Sequence, residues 1–336
     1  MLYYKNKNMK NEVFPLKQIV INKNDAGQRL NKFIEKTFPA IPPSLMYKSI
    51  RTKNIKINRK RCTPDQKLCE GDLLDIWLKD EFFVQPPHKY EFTNASERLD
   101  VVFEDDNVLI ANKPQGLIVH PDENYEPDTL IFRIQKYLYN KGEYDPEKEN
   151  SFTPALVNRI DRNTAGLVIA AKNAASLRIL NAKMKSREIH KKYLCIVCGR
   201  PVPAEATLEG YLEKNEQQNR VYIEKKRSES GKTIRTHYKV LDTVNHFSLV
   251  EIDLLTGRTH QIRAHMASIG HPLLGDGKYG TNKVNRSTGY YRQALCSYKL
   301  TFAFTSDAEE LNYLDGRSFE VENVPFLSDF YAGKIR

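Results

Sequence analysis

The segment 155–171 constrains the fold of this chain more than any other. A single acidic residue, Asp161, lies between Arg159 and Arg162, and apolar runs flank the three on both sides. Apolar runs of this length beside a glycine indicate buried strand and turn. A carboxylate in such surroundings needs a partner, because an unpaired buried charge is expensive. The arginines would favour its ionised form, so the segment fits either a structural ion pair or a reactive carboxylate.

The length and composition indicate a globular protein of two domains. The chain has 336 residues, of which 40% are hydrophobic and 28% are charged, and domains of this class usually have about 100–200 residues. No apolar run approaches the ~18 residues that a membrane span needs. Residues 1–16 lack the apolar core of a secretion signal and are predicted to form a flexible polar arm.

The cysteines predict a reducing, cytoplasmic environment. Five of them are scattered along the chain, which favours free thiols over a disulfide framework. Cys195 and Cys198 match a C-x-x-C pattern, but they lie in a predicted strand, where positions three apart face opposite sides. Since no second cysteine pair accompanies them, no metal site is predicted.

Residues 17–80 are predicted to form a small unit of two helices followed by strands. The first helix has one apolar face, formed by Leu30, Phe33, Ile34 and Phe38. A second helix is expected at 45–50, after the turn at Pro42 and Pro43. Strands are expected at 54–58 and 71–78, where apolar and polar residues alternate or follow a glycine.

The charge in this unit has one sign. Between Leu45 and Cys62 the chain has no acidic residue and seven basic ones: Lys48, Arg51, Lys53, Lys56, Arg59, Lys60 and Arg61. Solvated faces usually mix signs, so this run and the net charge of +10 favour an anionic partner such as RNA. The arrangement resembles the S4 RNA-binding domain, which implies that these seven side chains contact RNA phosphates.

The rest of the chain is predicted to contain a linker at 81–97, stiffened by two prolines, and a second domain at 98–336. Strand, turn and strand are expected at 99–113, and helices at 130–139 and 173–187. A strand at 192–197, exposed strands within 203–240, and a strand from 250 leading to a helix capped by Thr259 complete the pattern.

Two further patterns have simpler interpretations than their motifs suggest. Residues 275–280 spell G-x-G-x-x-G, but no strand precedes them and no apolar helix follows, so a surface turn is predicted instead of a dinucleotide site. His260 and His265 are five residues apart on the predicted helix, which is the wrong spacing for a zinc-binding H-E-x-x-H motif. From spacing alone, both are predicted to be structural histidines.

Three ordered blocks resemble the RluA family of pseudouridine synthases. They are residues 112–121, residues 159–167 and residues 255–265, and the resemblance covers about residues 98–310. An S4-like unit is a common companion of this family. The family usually has His-Arg-Leu-Asp where this chain has Asn158-Arg159-Ile160-Asp161, and Ser where it has Ala165. Replacing His by Asn removes a titratable group beside the site.

The resemblance implies an α+β protein with the pseudouridine synthase fold. In that fold a mixed, mostly antiparallel sheet is flanked by helices and loops, and here the small S4-like α/β domain would precede it. The implied reaction breaks the N1–C1′ bond of uridine, turns the uracil and rejoins it through C5, so no cofactor or metal is implied. Asp161 would act as nucleophile or base, and Arg263 would orient it. Tyr193 would stack on the uracil and could also help to move the C5 proton late in the reaction, although a phenol with a pKa near 10 is a poor base.

The resemblance also implies a set of residues that bind the substrate. Arg159 would fill the gap that the extruded nucleotide leaves, and the other implied contacts are Arg162, Thr164, Arg258, His260 and Gln261. The implied partner is structured RNA, most readily the 23S ribosomal RNA of the large subunit, with tRNA as the alternative. The enzyme is expected to act as a monomer without contact with membranes.

Two other functions fit parts of the sequence. A non-catalytic RNA-binding or ribosome-assembly protein could keep the fold without the chemistry, although Asp161, Tyr193 and Arg263 are all present. A glycoside hydrolase usually needs two acidic groups, whereas the central block has one. Release of tritium from 5-tritiated uridine, or of free uracil, would distinguish these alternatives from a synthase.

Overall fold

The computed structural model describes residues 14–83, 90–122, 126–215, 220–224, 226 and 231–336. It divides the chain into two compact units. The first comprises Met1–Thr93 with Gln135–Pro154 and Asn173–Ala175, and the second comprises Asn94–Ile134, Ala155–Lys172 and Ser176–Arg336. Most of the predicted arm, residues 1–13, lies outside the described residues.

The first unit is built on a four-stranded sheet. Its elements are β1 (Leu16–Val20), α1 (Leu30–Thr37), α2 (Pro43–Arg51), β2 (Ile55–Ile57), β3 (Lys60–Arg61) and β4 (Leu73–Trp77). The sheet order is β1-β4-β2-β3, with antiparallel neighbours. The predicted face of α1 is buried with Leu74 and Ile76 of β4 in one core. Pro43 opens α2, where its missing N–H and fixed φ suit the first turn.

The basic segment, residues 48–61, lies on the surface of this unit. Six of its seven cations are exposed, and Lys56 is half-buried with its ammonium 4.9 Å from the centre of the Trp77 ring. Within the described chain, none of the seven forms an ion pair. Asn58 and Arg59 both have positive φ, at 52° and 64°, and connect β2 to β3 as a two-residue hairpin. The S4 assignment itself stays a prediction.

The second unit contains one large sheet. Its strands are β5 (Val101–Glu104), β6 (Val108–Lys113), β7 (Ala155–Leu156), β8 (Ala165–Ala171), β9 (Ile189–Cys198), β10 (Glu205–Asn215), β11 (Arg220–Glu224), β12 (Lys232–Val244), β13 (Phe247–Asp253), β14 (Leu295–Phe302) and β15 (Ser318–Glu320). The order is β11-β10-β12-β13-β9-β14-β8-β6-β5, with β15 beside β14 and β7 beside β8. Only β8 and β14 pair in parallel among the described strands, which confirms the mixed, mostly antiparallel sheet.

Helices flank this sheet. They are α4 (Ala174–Lys185), α5 (Gln261–Ser268), α6 (Asn282–Thr288) and α7 (Leu327–Tyr331), whereas α3 (Leu130–Asn140) is divided between the two units. All seven residues of β8 are buried, as expected for a continuous apolar run covered on both faces. Its side chains join Leu180 of α4 and Phe302 of β14 in the main core. No helix in the described ranges is long and apolar enough to cross a membrane.

The region predicted as a linker, 81–97, is partly folded. A 3₁₀ turn at Glu91–Asn94 buries Phe92, whose ring lies 5.6 Å from that of Tyr139 and 5.9 Å from that of Tyr144. The prolines on which the prediction rested lie outside the described residues. The division of the chain also differs from the predicted boundaries, since residues 135–154 group with the first unit and not with 98–336.

The predicted cap of α5 is wrong. The residue before this helix is His260, which has a φ of 54°, and no side chain caps the helix there. Thr259 is exposed. Instead, Gln261 at the first position of the helix accepts hydrogen bonds from the backbone N–H of Arg258 and from the hydroxyl of Thr256, so its amide ties the incoming loop to the helix.

Candidate active site

Asp161 lies in a tight turn between β7 and β8. The backbone N–H of Thr164 donates to the carbonyl of Asp161 at 3.0 Å, which closes the turn. The Asp161 side chain is 27% exposed, so the carboxylate is half-buried but reachable. Thr164 is buried and its hydroxyl accepts a hydrogen bond from Gln293. The short loop thus presents one acidic side chain on a hydrogen-bonded turn.

The first of the three blocks holds this turn from the side. Arg162 offers its carbonyl to the ammonium of Lys113 at 2.9 Å and to the N–H of Gly116 at 2.8 Å. Gln115 donates to the carbonyl of Asn163 at 3.0 Å. These bonds explain why the block at 112–121 accompanies the central one, since it supplies the donors that an irregular turn cannot obtain from a sheet.

Lys113 is the centre of this support. Its side chain is buried, and its ammonium donates to the carbonyls of Pro114 (3.0 Å), Leu117 (2.7 Å) and Arg162 (2.9 Å). Three acceptors match the three N–H groups of an ammonium. Burial lowers the pKa of Lys113 to about 7, although the negative charge of Asp161 acts to raise it. The sequence placed Lys113 in a block of the family resemblance but gave it no role.

The start of β8 depends on a glycine and an asparagine. Gly166 has a φ of 112°, and a Cβ there would lie 2.2 Å from the carbonyl oxygen of Ser297 on the parallel strand β14. Only glycine fits this approach. Asn158 is buried, accepts from the N–H of Ile169 at 2.8 Å and donates to the carbonyl of Leu167 at 3.4 Å. The residue that replaces the usual histidine is therefore bound to backbone.

Arg263 joins Asp161 to a second carboxylate. From α5, its Nη1 donates to Oδ2 of Asp161 at 3.0 Å. Its Nε and Nη2 donate to the two oxygens of Asp276 at 2.7 Å and 2.9 Å. The Arg263 side chain is 8% exposed and the Asp276 side chain is fully buried. The planar guanidinium of Arg263 donates a hydrogen bond from each of its three nitrogens, which fixes its orientation. It therefore positions the Asp161 carboxylate.

Asp276 is a further site residue that sequence reasoning missed. It lies in the segment 275–280, which was predicted to be a surface turn, yet Leu274 to Asp276 are buried. Gly275 has positive φ, and a Cβ there would lie 2.1 Å from the carbonyl of Arg292. Burial by itself would raise the pKa of Asp276. Arg263 and the backbone N–H groups of Lys278 and Tyr279 nevertheless hold this pKa below its usual value. The only sign of this role in the sequence was a single acidic residue between two glycines, Gly275 and Gly277.

His260 completes the group around Asp161. Its Nε2 lies 3.8 Å from Oδ2 of Asp161, and its Nδ1 lies 3.2 Å from the hydroxyl of Tyr279. Burial lowers the pKa of His260, with the Asp161 charge acting in the opposite direction. His265 differs: it is buried, its Nδ1 pairs with Thr236, and its Nε2 has no partner among the described residues.

Tyr193 lies on β9 and lines the same cavity as Asp161. Its side chain is 5% exposed. Burial raises the pKa of Tyr193 to about 12; Ser297 acts against this and the charge of Asp161 adds to it. The phenol therefore stays protonated at neutral pH and offers a flat apolar face with a polar edge.

The cavity that contains Asp161 has a volume of 580 Å³, within the usual range for small-ligand sites, about 300–1,000 Å³. Besides Asp161, Tyr193 and His260, it is lined by apolar side chains of Ile118, Val119, Leu254 and Leu295. Lys191 also lines it, and burial lowers the pKa of this lysine. Sequence reasoning gave Lys191 no role.

The other predicted substrate contacts lie in different settings. Arg159 and Arg258 are exposed at the rim of the cavity. Arg162 is exposed and pairs with Asp122 at 3.2 Å. Gln261 is buried, and its amide is fully used, since it also donates to the carbonyl of Arg235 and the hydroxyl of Thr236. Their roles stay predictions, with Gln261 placed to support the loop before α5.

The C-x-x-C pattern has the geometry expected of a strand. Cys195 is fully buried while Cys198 is half-buried, and the described cysteines are all free thiols. In the portion of the chain that the structure describes, no group of three or more His, Cys, Asp or Glu side chains could hold a metal ion.

Comparison with known proteins identifies the family. A model of the RNA pseudouridylate synthase family matches residues 107–268. An uncharacterized RNA pseudouridine synthase of Mycoplasma capricolum is 32% identical over 93% of this chain and 99% of its own. The ribosomal large subunit pseudouridine synthase C of Buchnera aphidicola is 34% identical over 82% and 85%, and that of Escherichia coli K12 is 30% identical over 90% and 93%.

Solved structures agree on the fold. The human RNA Pseudouridylate Synthase Domain Containing 1 has a TM-score of 0.55 at 25% identity, and the match covers 70% of this chain and 88% of that one. The human RNA Pseudouridylate Synthase Domain Containing 4 has a TM-score of 0.54 at 19% identity, and this match shows the fold alone. The three blocks, the α+β sheet and these relatives converge: the chain belongs to the RluA family of RNA pseudouridine synthases and is an isomerase that acts on RNA.

Proposed function

We propose that this enzyme converts uridine to pseudouridine in large-subunit ribosomal RNA, with Asp161 as its catalytic carboxylate. The observation that carries the proposal is the setting of that side chain. One of its oxygens is bound by Arg263 at 3.0 Å, the carboxylate is 27% exposed, and it opens into the 580 Å³ cavity that Tyr193 lines. A half-buried, oriented acid beside a buried aromatic suits attack on a nucleoside.

Asp161 would begin the reaction at the sugar. Its free oxygen either attacks C1′ or removes a proton from C2′, and in both routes the N1–C1′ bond breaks and the uracil carries away the electron pair. The uracil then turns and C5 bonds to C1′, as the Asp161–C1′ bond breaks in the first route or as C2′ regains its proton in the second. The hydrogen on C5 leaves as a proton, and N1 takes up a proton. No oxidation occurs. The guanidinium of Arg263 would keep the carboxylate in line while the base moves.

Tyr193 would hold the uracil and not take its proton. With a pKa raised to about 12 by burial, the phenol is a poor base at neutral pH. Its ring suits stacking against a base that has left the helix. Arg159, exposed at the cavity rim, would occupy the gap in the RNA.

The basic segment would supply affinity. Its seven cations, which form no ion pair among the described residues, suit contacts with phosphates, and a set of seven implies a log–log salt slope on the order of −5 for single-stranded RNA. Relatives that are 30–34% identical are named for the large ribosomal subunit, which supports ribosomal RNA over tRNA as the substrate. We expect the enzyme to work as a monomer in the cytoplasm.

The experiment is tritium release from RNA that carries 5-tritiated uridine. Wild-type protein should release tritium from a large-subunit ribosomal RNA transcript and not from tRNA transcripts. Asp161→Asn should lower the rate about a thousandfold or more while RNA affinity remains within a few-fold. The matched control is Asp106→Asn, an exposed acid outside the cavity, which should release tritium at the wild-type rate.

Three outcomes would contradict the proposal in different ways. Tritium release by Asp161→Asn at the control rate would remove the assigned role from that residue. Free uracil among the products would indicate a hydrolase. Release from tRNA but not from ribosomal RNA would leave the chemistry and change the substrate.

A further inference from the structure

Lys191 is a titratable side chain of the active-site cavity that the proposed function does not use. It lies on β9 two residues before Tyr193, so both side chains leave the same face of the strand. Both line the cavity that contains Asp161. Two residues of a strand span roughly 7 Å, about the width of a uracil. A uracil stacked on Tyr193 would therefore have one edge within reach of Lys191.

The ammonium of Lys191 lies at the wall of this cavity. Its Nζ is 3.0 Å from the sulfur of Met184, and a Cβ added at Gly257 would lie 4.0 Å from it. Met184 and Gly257 both line the same cavity. Because the neighbours of the ammonium are themselves cavity residues, its positive charge faces the cavity.

Among the described residues, no acidic side chain forms an ion pair with Lys191. The thioether of Met184 is a weak acceptor and occupies one of the three N–H donors of the ammonium. Burial lowers the pKa of Lys191, and no acidic group of the described chain acts to raise it. The charge of Asp161, by contrast, acts on the pKa of Tyr193. The remaining donors of Lys191 are thus available to a molecule in the cavity.

The proposed reaction forms an anion at this place. When the N1–C1′ bond breaks, the uracil leaves with the electron pair, and its negative charge spreads over N1, O2 and O4. A half-buried ammonium stabilises such a charge more than an exposed one does, because little water screens the interaction. The phosphates of the RNA backbone are better matched by Arg159 and Arg258, which are exposed at the rim of the cavity.

We propose that Lys191 is a further catalytic residue, whose ammonium donates a hydrogen bond to the uracil while the base is detached from the sugar. The acceptor is O2 or O4, which carries more negative charge in the transition state than in bound uridine, so the bond strengthens as the reaction proceeds. Lys191 keeps its proton throughout. The inference rests on the proposed function, since it requires the uracil to leave as an anion beside Tyr193.

The test compares Lys191→Met with Lys192→Met. Lys192 is the next residue of β9, lies outside the cavity lining and pairs with Glu251 at 2.8 Å. With saturating enzyme and RNA that carries 5-tritiated uridine, Lys191→Met should release tritium about a hundredfold more slowly than wild type, the usual loss for one donor to a developing anion. Lys192→Met should remain within a few-fold of wild type.

The binding measurements should not change in the same way. Since the proposed bond forms mainly in the transition state, the Kd for RNA and its salt slope should be the same in Lys191→Met and wild type. Lys191→Met should also resist denaturant at least as well as wild type, because it no longer buries a charge. A slow but stable variant with normal affinity separates loss of catalysis from misfolding.

A second arm distinguishes catalysis from a structural role. The target uridine is replaced by 2-thiouridine or by 4-thiouridine, and the rate is followed as loss of the thionucleoside in nuclease digests of the RNA. Sulfur is a weaker acceptor than oxygen and spreads negative charge better, so the departing base depends less on the ammonium. The factor by which Lys191→Met slows the reaction should therefore shrink several-fold on at least one of these RNAs.

The inference is overturned if Lys191→Met releases tritium at the rate of Lys192→Met, or if it slows the reaction by the same factor on uridine and on both thiouridines. It is also overturned if the Kd rises and the salt slope becomes less negative by about 0.7 at an unchanged saturated rate, because Lys191 would then bind a phosphate. Failure of the proposed function looks different, since wild type itself would then release no tritium from ribosomal RNA or tRNA transcripts.

Discussion

The basic segment and the arginine of the active site hold positive charge in opposite ways. In the segment, six of seven cations are exposed and no ion pair forms among the described residues. Arg263 is 7% exposed and bonded to two carboxylates. Exposed charges in water contribute little to stability and remain available for phosphates, whereas a buried pair fixes geometry and is costly to break. The difference predicts which substitutions change folding and which change only RNA binding.

The largest effect on folding is expected from Asp276→Asn. It would leave Arg263 buried with one carboxylate in place of two, so the free energy of unfolding should fall by on the order of 3 kcal/mol. Denaturant unfolding at constant pH measures this, with the exposed Asp106→Asn as control. If both variants unfold at the same denaturant concentration, the buried Arg263–Asp276 pair contributes no more to stability than an exposed charge does.

Lys113→Met should have the next largest effect. Methionine has a similar shape but removes the ammonium donor from the carbonyls of Pro114 and Leu117 and one of the two donors of the Arg162 carbonyl, which should lower the free energy of unfolding by about 2 kcal/mol. The catalytic turn would also loosen, and a misplacement of about 1 Å can reduce the rate about a hundredfold. Unfolding and tritium release are measured against Lys36→Met on the exposed face of α1. Normal activity in Lys113→Met would show that the turn holds itself.

His265 should make stability depend on pH. Burial lowers the pKa of His265 to about 4, below its usual 6.5. Between these values the unfolded chain binds the proton and the folded chain does not. Its contribution is therefore complete above pH 6.5 and is lost as the pH falls towards 4, with a slope of up to about 1.4 kcal/mol per pH unit.

This dependence is measured as the difference between wild type and His265→Gln in unfolding experiments from pH 7.5 to 4.5. The variant should lose part of the slope, while His190→Gln, at an exposed histidine, should keep all of it. Equal slopes in all three proteins would remove His265 as the cause.

The smallest effect on folding is expected in the basic segment. Lys60→Gln/Arg61→Gln should change the free energy of unfolding by less than about 0.5 kcal/mol. The same variant should make the log–log salt slope of RNA binding less negative by about 1.4. The control is Arg200→Gln/Arg336→Gln, which removes the same amount of charge from exposed positions outside the cavity of Asp161. A destabilised variant with an unchanged slope would reverse the comparison and make the segment structural.

The sequence predicted the regular elements of both units well because local patterns determine them. The apolar spacing of Leu30, Phe33 and Ile34 gave α1, and the continuous apolar run at 167–171 gave the buried strand β8. Both patterns reflect which face of an element is covered. Thr259 failed as a cap because its neighbour His260 adopts a positive φ, and no pattern in one sequence reports that conformation.

The candidate site was predictable only in part, since its members come from distant segments. Asp161 was singled out from its own segment, as either a structural or a reactive carboxylate, whereas Tyr193 and Arg263 were singled out through the family resemblance and would have been passed over in isolation. Asp276 was missed because its neighbours are glycines, which suggested an exposed turn, while its actual partner lies 13 residues away on a helix. A pairing of that kind depends on tertiary contacts.

The ammonium of Lys113 also has a consequence for access. Irregular backbone inside a protein is usually held by a neighbouring strand or loop laid over it, which would close the site. Here three carbonyls are held from behind by one side chain. Because this support comes from one side chain, 27% of the Asp161 side chain stays exposed, and we expect RNA to approach the carboxylate from that exposed side.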